Sequence, residues 1–114
     1  MSIKVVYNNC FGGFSISRAC AVRMAELGNK EAQQMIKDDV DYPSDPSVGF
    51  YGYLSFTPRH DSILVQAVEE LGEDASGSMS ELRVYELSGD KYFIDEYDGS
   101  ETVVEPKDVA WIEV

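Results

Sequence analysis

Basic residues, histidine and cysteine are scarce in this sequence. Nine lysines and arginines stand against 21 aspartates and glutamates, with one histidine and two cysteines among 114 residues. The resulting net charge of −12 repels nucleic acid and anionic membranes, so we expect neither as a direct partner. Cys10 and Cys20 cannot form a disulfide framework, and a single histidine without a C-x-x-C pair argues against a zinc site. We therefore expect reduced thiols, no metal and no other cofactor.

Long hydrophobic runs are also missing. No apolar stretch approaches the roughly 20 residues that a membrane helix needs. The first residues, Met1 to Lys4, lead directly into a strand-like run and do not resemble a secretory signal. We expect a soluble, cytoplasmic protein. An apolar fraction of 44% and an aromatic fraction of 11% argue against disorder, so a single domain over residues 1–114 is predicted.

The charge is divided unevenly along the chain. Residues 1–37 carry a net charge of +3, whereas residues 38–114 carry −15. Such an acidic surface can attract a basic surface on a partner protein, for instance a groove that normally holds DNA or RNA. Plain solubility explains the same composition without any mimicry of nucleic acid, so both interpretations stay open.

Two groups of acids are the candidate partner-binding residues. The first group lies in residues 38–47, which two prolines and four acids predict to be a loop. The second group lies at the C-terminal end of a predicted helix, where negative charge opposes the helix dipole. The residues are Asp38, Asp39, Asp41 and Asp45 in the first group, and Glu69, Glu70, Glu73 and Asp74 in the second.

A glycine turn between a predicted strand and a predicted helix is the candidate ligand site. Gly12 and Gly13 permit a sharp reversal, and Ser15 or Ser17 can cap the helix that follows. Free N–H groups and a helix dipole at such a turn favour an anion, although the turn lacks both the G-x-G-x-x-G and the P-loop patterns. A tight strand-to-helix connection explains the same residues and is the favoured interpretation of the turn. The candidate ligand-binding residues are Cys10, Phe11, Gly12, Gly13, Ser15, Ser17, Arg59 and His60.

Apolar periodicity and turn residues predict the order β-α-α-β-α-β-β-β, followed at 109–112, which include Trp111, by a further short strand or a packing tail. Asn29 and Asp61 are predicted helix caps, Gly72 a helix stop, and Asp98-Gly99 a hairpin turn. We expect an α+β fold in which a mostly C-terminal antiparallel meander carries two or three helices on one face. The predicted strands cover residues 4–7, 49–56, 82–87, 92–97 and 101–105, and the predicted helices cover 16–27, 30–37 and 62–71.

Catalysis would require Cys10, His60 and a carboxylate such as Asp61 to converge. Cys10 precedes a helix, where a thiolate is favoured, but Asp61 is better used as a helix cap. No signature of a catalytic family surrounds Cys10, so we do not expect an enzyme. Tyr51 and Tyr53 can stack on a base, or they can be edges of the core.

Three segments together resemble a widespread set of small proteins encoded by bacteriophages and prophages. The segments are NNCFGGFSIS at 8–17, RHDSILVQAVEELG at 59–72 and IDEYDGSE at 94–101. Relatives often carry proline in place of Ser62, which suits the first position of a helix. The resemblance implies a phage accessory factor that acts on host machinery, and it brings no catalytic residues with it.

The leading hypothesis is therefore a non-enzymatic, acidic phage protein that binds a host protein with a basic surface. A host defence factor or a nucleic-acid-handling factor is the expected kind of target. The second hypothesis is a protein that binds a small molecule or nucleotide at residues 10–17. The third is an enzyme that depends on Cys10.

Overall fold

The structure, a computed structural model, describes residues 3–41, 50, 52–77 and 79–108. Within these residues, three helices and two antiparallel two-stranded sheets confirm the predicted α+β class. The strands are β1 (Lys4–Asn8), β2 (Leu82–Glu86), β3 (Phe93–Tyr97) and β4 (Ser100–Val104). The helices are α1 (Arg18–Glu26), α2 (Lys30–Asp41) and α3 (Ser62–Leu71), and single 3-10 turns span Gly72–Ala75 and Pro106–Asp108.

The β1–β2 ribbon separates two apolar clusters because alternate residues of a strand point to opposite faces. Val6 and its cross-strand partner Val84 pack in the cluster formed with the helices. Val5 points the other way and packs with Leu87 and with Val103 of β4. Helix α3 contacts both strands of the ribbon, and α1 packs against α2 and α3. The helices therefore lie on one face of the ribbon and the β3–β4 hairpin on the other.

The predicted helix caps are confirmed. Ser17 accepts a hydrogen bond from the Cys20 N–H at the start of α1, and Asp61 accepts from the N–H groups of Ile63 and Leu64 at the start of α3. At the start of α2, Asn29 accepts from the Ala32 N–H at 2.8 Å. Each cap satisfies N–H groups that the first turn of a helix leaves without a partner.

The predicted C-terminal hairpin is also confirmed. β3 and β4 pair antiparallel from Phe93 opposite Val104 to Tyr97 opposite Ser100. The two turn residues, Asp98 and Gly99, have positive φ angles of 53° and 88°. Two left-handed residues match the twist of the flanking strands, which is why an Asp-Gly pair is typical of such turns.

Three details of the predicted fold are wrong. Helix α2 runs to Asp41, where a loop from residue 38 was expected, because the first helix-breaking proline comes only at position 43. The described part of 49–56 contains no strand, because the N–H groups of Ser55 and Phe56 donate to the Glu31 carboxylate instead of to a neighbouring strand. The sheet is not a meander, since β2 pairs with β1 rather than with β3.

Part of the prediction lies outside the described residues. This applies to the expected strand at 109–112 with Trp111, to Tyr51 and to the candidate Asp45.

Candidate functional site

The glycine turn is packed against two distant segments of the chain. A Cβ atom added at Gly12 would overlap the backbone carbonyl of Met79. A Cβ atom added at Gly99 in the hairpin turn would lie 2.5 Å from the Gly13 N and 2.9 Å from the Phe11 O. The turn therefore needs glycine at position 12 because another backbone approaches it closely there.

The Ser17 hydroxyl and the Ser15 backbone carbonyl take part in hydrogen bonds within the chain. The Ser17 hydroxyl caps α1 and also donates to the Asp74 carbonyl, while the Ser17 N–H donates to the Ala75 carbonyl at 2.8 Å. The Ser15 carbonyl accepts from the Gly77 N–H and from the Ser80 hydroxyl. The segment around residues 74–80 thus covers the start of α1, which supports the interpretation of the turn as a structural connection.

Asn8, which is not among the residues predicted from the sequence, joins the glycine turn to the hairpin. Its buried side-chain amide donates to the carbonyls of Cys10 and Gly99 at 2.8 and 2.7 Å. Its side-chain oxygen accepts from the Glu81 N–H at 2.9 Å. The residue stands inside the NNCFGG motif, but its partners are up to 91 residues away, so only the structure could reveal this role.

Arg59 is paired within the chain. Its guanidinium donates to both carboxylate oxygens of Glu101, at 2.5 and 2.8 Å, and lies 3.5 Å from the centre of the Phe14 ring. The same carboxylate accepts the Asn8 N–H at 2.8 Å, and the Arg59 carbonyl accepts the Val6 N–H at 2.9 Å. Arg59 therefore lies over the Phe14 ring and pairs with Glu101, and this group is located at the edge of β1 that faces away from β2.

His60 lies beside an open groove of about 650 Å³ between the start of β1 and α3. Its Nδ1 atom lies 2.7 Å from the Tyr92 hydroxyl, and the two rings meet edge to face. The Cys10 thiol donates to the Asn8 side-chain oxygen at 3.4 Å and to the Met79 carbonyl at 3.3 Å. No hydrogen bond joins Cys10 to His60, although both lie in the described part of the chain.

The second thiol, Cys20, is fully buried, and burial raises its pKa to about 12. A thiol with so high a pKa is not a nucleophile at neutral pH. Residues 3–41, 50, 52–77 and 79–108 also contain no group of three or more histidine, cysteine, aspartate or glutamate side chains that could hold a metal ion.

Three of the candidate partner-binding acids form ion pairs with the basic N-terminal part of the chain. Glu69 pairs with Lys4 at 2.9 Å, Glu70 with Arg23 at 2.6 Å, and Asp39 with Arg18 at 2.9 Å. The hydrogen bond from Arg23, supported by one from Gln66, lowers the pKa of Glu70 to about 2. These three intramolecular ion pairs neutralise the net charge of +3 that residues 1–37 carry.

The other candidate acids are placed differently. Asp38 accepts a hydrogen bond from Gln34 one turn earlier in α2, and Asp41 is the last residue of that helix. Glu73 and Asp74 are exposed in the 3-10 turn that follows α3.

Two further glutamates, neither of them predicted from the sequence as a functional residue, hold loops together. Glu31 in α2 accepts the backbone N–H groups of Ser55, Phe56 and Thr57 at 2.5 to 3.0 Å. Burial raises the pKa of Glu31, but these donors outweigh burial, so the pKa lies below its usual value. Glu105, in the acidic part of the chain, has the same structural role.

Glu105 follows β4 and is almost completely buried. Its carboxylate accepts the N–H groups of Ser88 and Gly89, at 2.7 and 3.2 Å, and the Tyr85 hydroxyl at 3.1 Å. Burial raises the pKa of Glu105, whereas these hydrogen bonds lower it more, so the net shift is downward. The carboxylate thereby fixes the turn after β2.

The β3–β4 hairpin carries acids and aromatic rings that the chain itself leaves exposed. Phe93 is 55% exposed and Tyr97 is 76% exposed. Asp95, between them on the same strand, and Asp98 in the turn are exposed as well. Neither aspartate forms an ion pair within the part of the chain that the structure describes.

Comparisons of the chain with protein-family models, curated proteins and solved structures find no match. Among the described helices, none combines the length and the apolar character that a membrane crossing requires.

Proposed function

We propose that this chain is a non-enzymatic protein that binds a basic surface on a partner protein. The resemblance to phage and prophage proteins favours a partner from the cytoplasm of the bacterial host, such as a defence factor or a nucleic-acid-handling factor. The acidic surface would then occupy a groove that otherwise holds nucleic acid.

The observation that carries the proposal is the excess of exposed acids that internal ion pairs leave uncompensated. Six of the nine basic side chains already pair with acids of the same chain: Lys4, Arg18, Arg23, Arg59, Arg83 and Lys107. Even if each of the three remaining lysines met one acid, twelve acids would stay in excess, which is the net charge of −12. Exposed charge of one sign attracts an oppositely charged surface and accelerates association.

The geometry of the glycine turn favours binding of a protein over binding of a nucleotide at residues 10–17. Met79 and Gly99 lie against the turn, and the Ser17 hydroxyl already donates to the Asp74 carbonyl. Arg59, which an anionic ligand would need, is engaged at two points by Glu101. The lack of a Cys10–His60 contact likewise favours a non-enzymatic role.

Capture of host proteins on the immobilised chain tests the proposal. Bacterial lysate is passed over the chain at low and at raised salt, and duplex DNA is added as a competitor. We expect a captured protein that both salt and DNA release, since screening weakens charge attraction beyond about 8 Å at physiological ionic strength. Capture that neither treatment changes would contradict the proposal.

A matched pair of variants controls for net charge. One variant carries Asp95→Asn, Glu96→Gln and Asp98→Asn, and the other carries Glu26→Gln, Glu86→Gln and Asp90→Asn. All six residues are exposed, and each variant removes the same charge. Equal losses of capture would indicate a diffuse electrostatic attraction, whereas a loss confined to the first variant would place the contact on the hairpin. Unchanged capture by both variants would count against the proposal.

A further inference from the structure

The outer face of the β3–β4 hairpin presents an aromatic, an acidic and an aromatic side chain in alternate positions. Phe93, Asp95 and Tyr97 share this face because alternate residues of a strand point the same way. All three are exposed, as is Thr102, which lies opposite Asp95 on β4. The inner face, with Val103, packs on the β1–β2 ribbon.

The spacing of these side chains matches an extended partner. A strand advances about 3.4 Å per residue, so Asp95 lies about 7 Å along the strand from each aromatic residue. An extended segment that lies along β3 repeats its own side chains at the same interval of about 7 Å. Side chains of one such segment can therefore lie over both rings and reach the carboxylate between them.

The combination of aromatic rings and a carboxylate on this face favours arginine over lysine as the partner residue. A guanidinium stacks on an aromatic ring and also pairs with a carboxylate through two parallel hydrogen bonds, which the ammonium group of lysine cannot do. The protein contains the same arrangement internally, where Arg59 lies over the Phe14 ring and pairs at two points with Glu101. On the hairpin, the ring and the carboxylate are present without the arginine.

We infer that the outer face of the β3–β4 hairpin binds an extended, arginine-bearing segment of the partner protein. The arginines lie over Phe93 and Tyr97, and Asp95 pairs with them. This inference rests on the proposed function, because it names the surface and the partner chemistry through which the acidic chain acts.

The binding test uses a fluorescent ten-residue peptide in which arginine and threonine alternate. Peptides with lysine or with uncharged citrulline in place of arginine are the ligand controls. We expect the arginine peptide to bind the full chain and the lysine peptide to bind several-fold more weakly, because lysine loses the planar stacking. Equal binding of the arginine and lysine peptides, or no binding of the arginine peptide, would overturn the inference.

The variant test removes the rings and retains the charge. Phe93→Thr with Tyr97→Thr keeps residues that favour strands, and the matched control is Phe56→Thr, which removes a ring that is 88% exposed elsewhere. We expect the double variant to bind the arginine peptide about tenfold more weakly and the control to bind as the parent does. A double variant that binds like the parent would refute the site.

Chemical-shift mapping locates the peptide without any substitution. Shifts of the amide signals of Phe93, Asp95, Tyr97 and Thr102 would support the inference, and shifts confined to other residues would overturn it. Two other occupants would also overturn it. These are a second copy of the chain, seen as self-association that the double variant abolishes, and residues 109–114, seen as cross-peaks to β3 in the free protein.

The lysate capture separates failure of this inference from failure of the proposed function. If the Phe93→Thr and Tyr97→Thr variant still captures a protein that salt releases, the acidic partner-binding function stands and the hairpin is not its site. If the parent chain captures nothing that salt releases, the proposed function itself fails.

Discussion

Arg59 and Glu101 lie 42 residues apart in sequence and meet in a two-point ion pair beside β1. The Glu101 side chain is 6% exposed and its carboxylate also accepts the Asn8 N–H, while the Arg59 carbonyl accepts the Val6 N–H. Together the two residues accept the N–H groups of Val6 and Asn8, which lie on the edge of β1 that does not pair with β2. Sealing this edge prevents it from acting as a template for another strand.

Glu101→Gln should destabilise the protein by about 2–4 kcal/mol, because it leaves the partly buried Arg59 without a counter-charge. Urea unfolding measures the change. The control, Glu73→Gln, alters an exposed acid and should change stability by less than about 0.5 kcal/mol. Pairing Glu101→Gln with Arg59→Met should recover part of the loss, since the double variant leaves no unpaired charge. A loss from Glu101→Gln as small as that of the control would show that the ion pair contributes little.

Contacts between neighbouring residues could be predicted from the sequence. The caps at Ser17, Asn29 and Asp61 each act within three residues of their own position, so local spacing identified Asn29 and Asp61 and narrowed the third cap to Ser15 or Ser17. The Asp98-Gly99 turn was predictable for the same reason, because its two left-handed residues are adjacent.

Contacts between distant residues could not be predicted from one sequence. The Glu31 carboxylate meets N–H groups 24 to 26 residues later, and it replaces the strand that the aromatic residues at 50–56 had indicated. Asn8 reaches Gly99 across 91 residues. The pairing of β1 with β2 is equally remote, and no turn signal marks it. Arg59 was predicted to bind a ligand because its ion pair with Glu101, 42 residues later, is also a distant contact.

The two glycines of the turn should respond differently to alanine. Gly12→Ala places a Cβ atom against the Met79 carbonyl and should cost more than about 2 kcal/mol, since neither backbone can move away easily. Gly13 has a positive φ of 90° but open space around it, so Gly13→Ala should cost only about 1 kcal/mol. Thermal or urea unfolding measures both.

Gly89→Ala is the control for these two variants, because Gly89 has neither a positive φ nor a neighbour within 4 Å of an added Cβ. It should be neutral or slightly stabilising. If Gly12→Ala proved as mild as Gly89→Ala, the close packing of Met79 on the turn would be refuted.

Stability should fall in acid partly through Glu31. The hydrogen bonds from residues 55–57 hold the pKa of Glu31 below its ordinary value of 4.5 in the folded state. A lowered folded pKa contributes stability that is complete above the unfolded value and is lost as the pH falls through the folded one. Glu31→Gln should therefore be less stable by about 1–3 kcal/mol at pH 7, and its deficit should shrink below about pH 4. Urea midpoints between pH 7 and 3 measure this difference.

Glu26→Gln, an exposed change in α1, should leave the pH profile of the parent unaltered. A Glu31→Gln variant with a pH profile parallel to that of the parent would show that this carboxylate does not contribute to acid unfolding.

Inorganic phosphate and nucleotides should not raise the melting temperature of the parent chain. The Ser17 hydroxyl and N–H both donate within the chain, Gly99 lies against the turn, and Arg59 is held by Glu101. A ligand at 100 times its Kd that binds only the folded state adds about 2.7 kcal/mol, which corresponds to a shift of roughly 10 °C for a chain of this size. Differential scanning fluorimetry detects such a shift readily. Gly13→Ala is the discriminating variant, because its added Cβ meets nothing within 4 Å and leaves the surrounding packing in place. A nucleotide that stabilised the parent but not Gly13→Ala would establish a ligand site at the glycine turn and would favour the small-molecule hypothesis over binding of a basic protein.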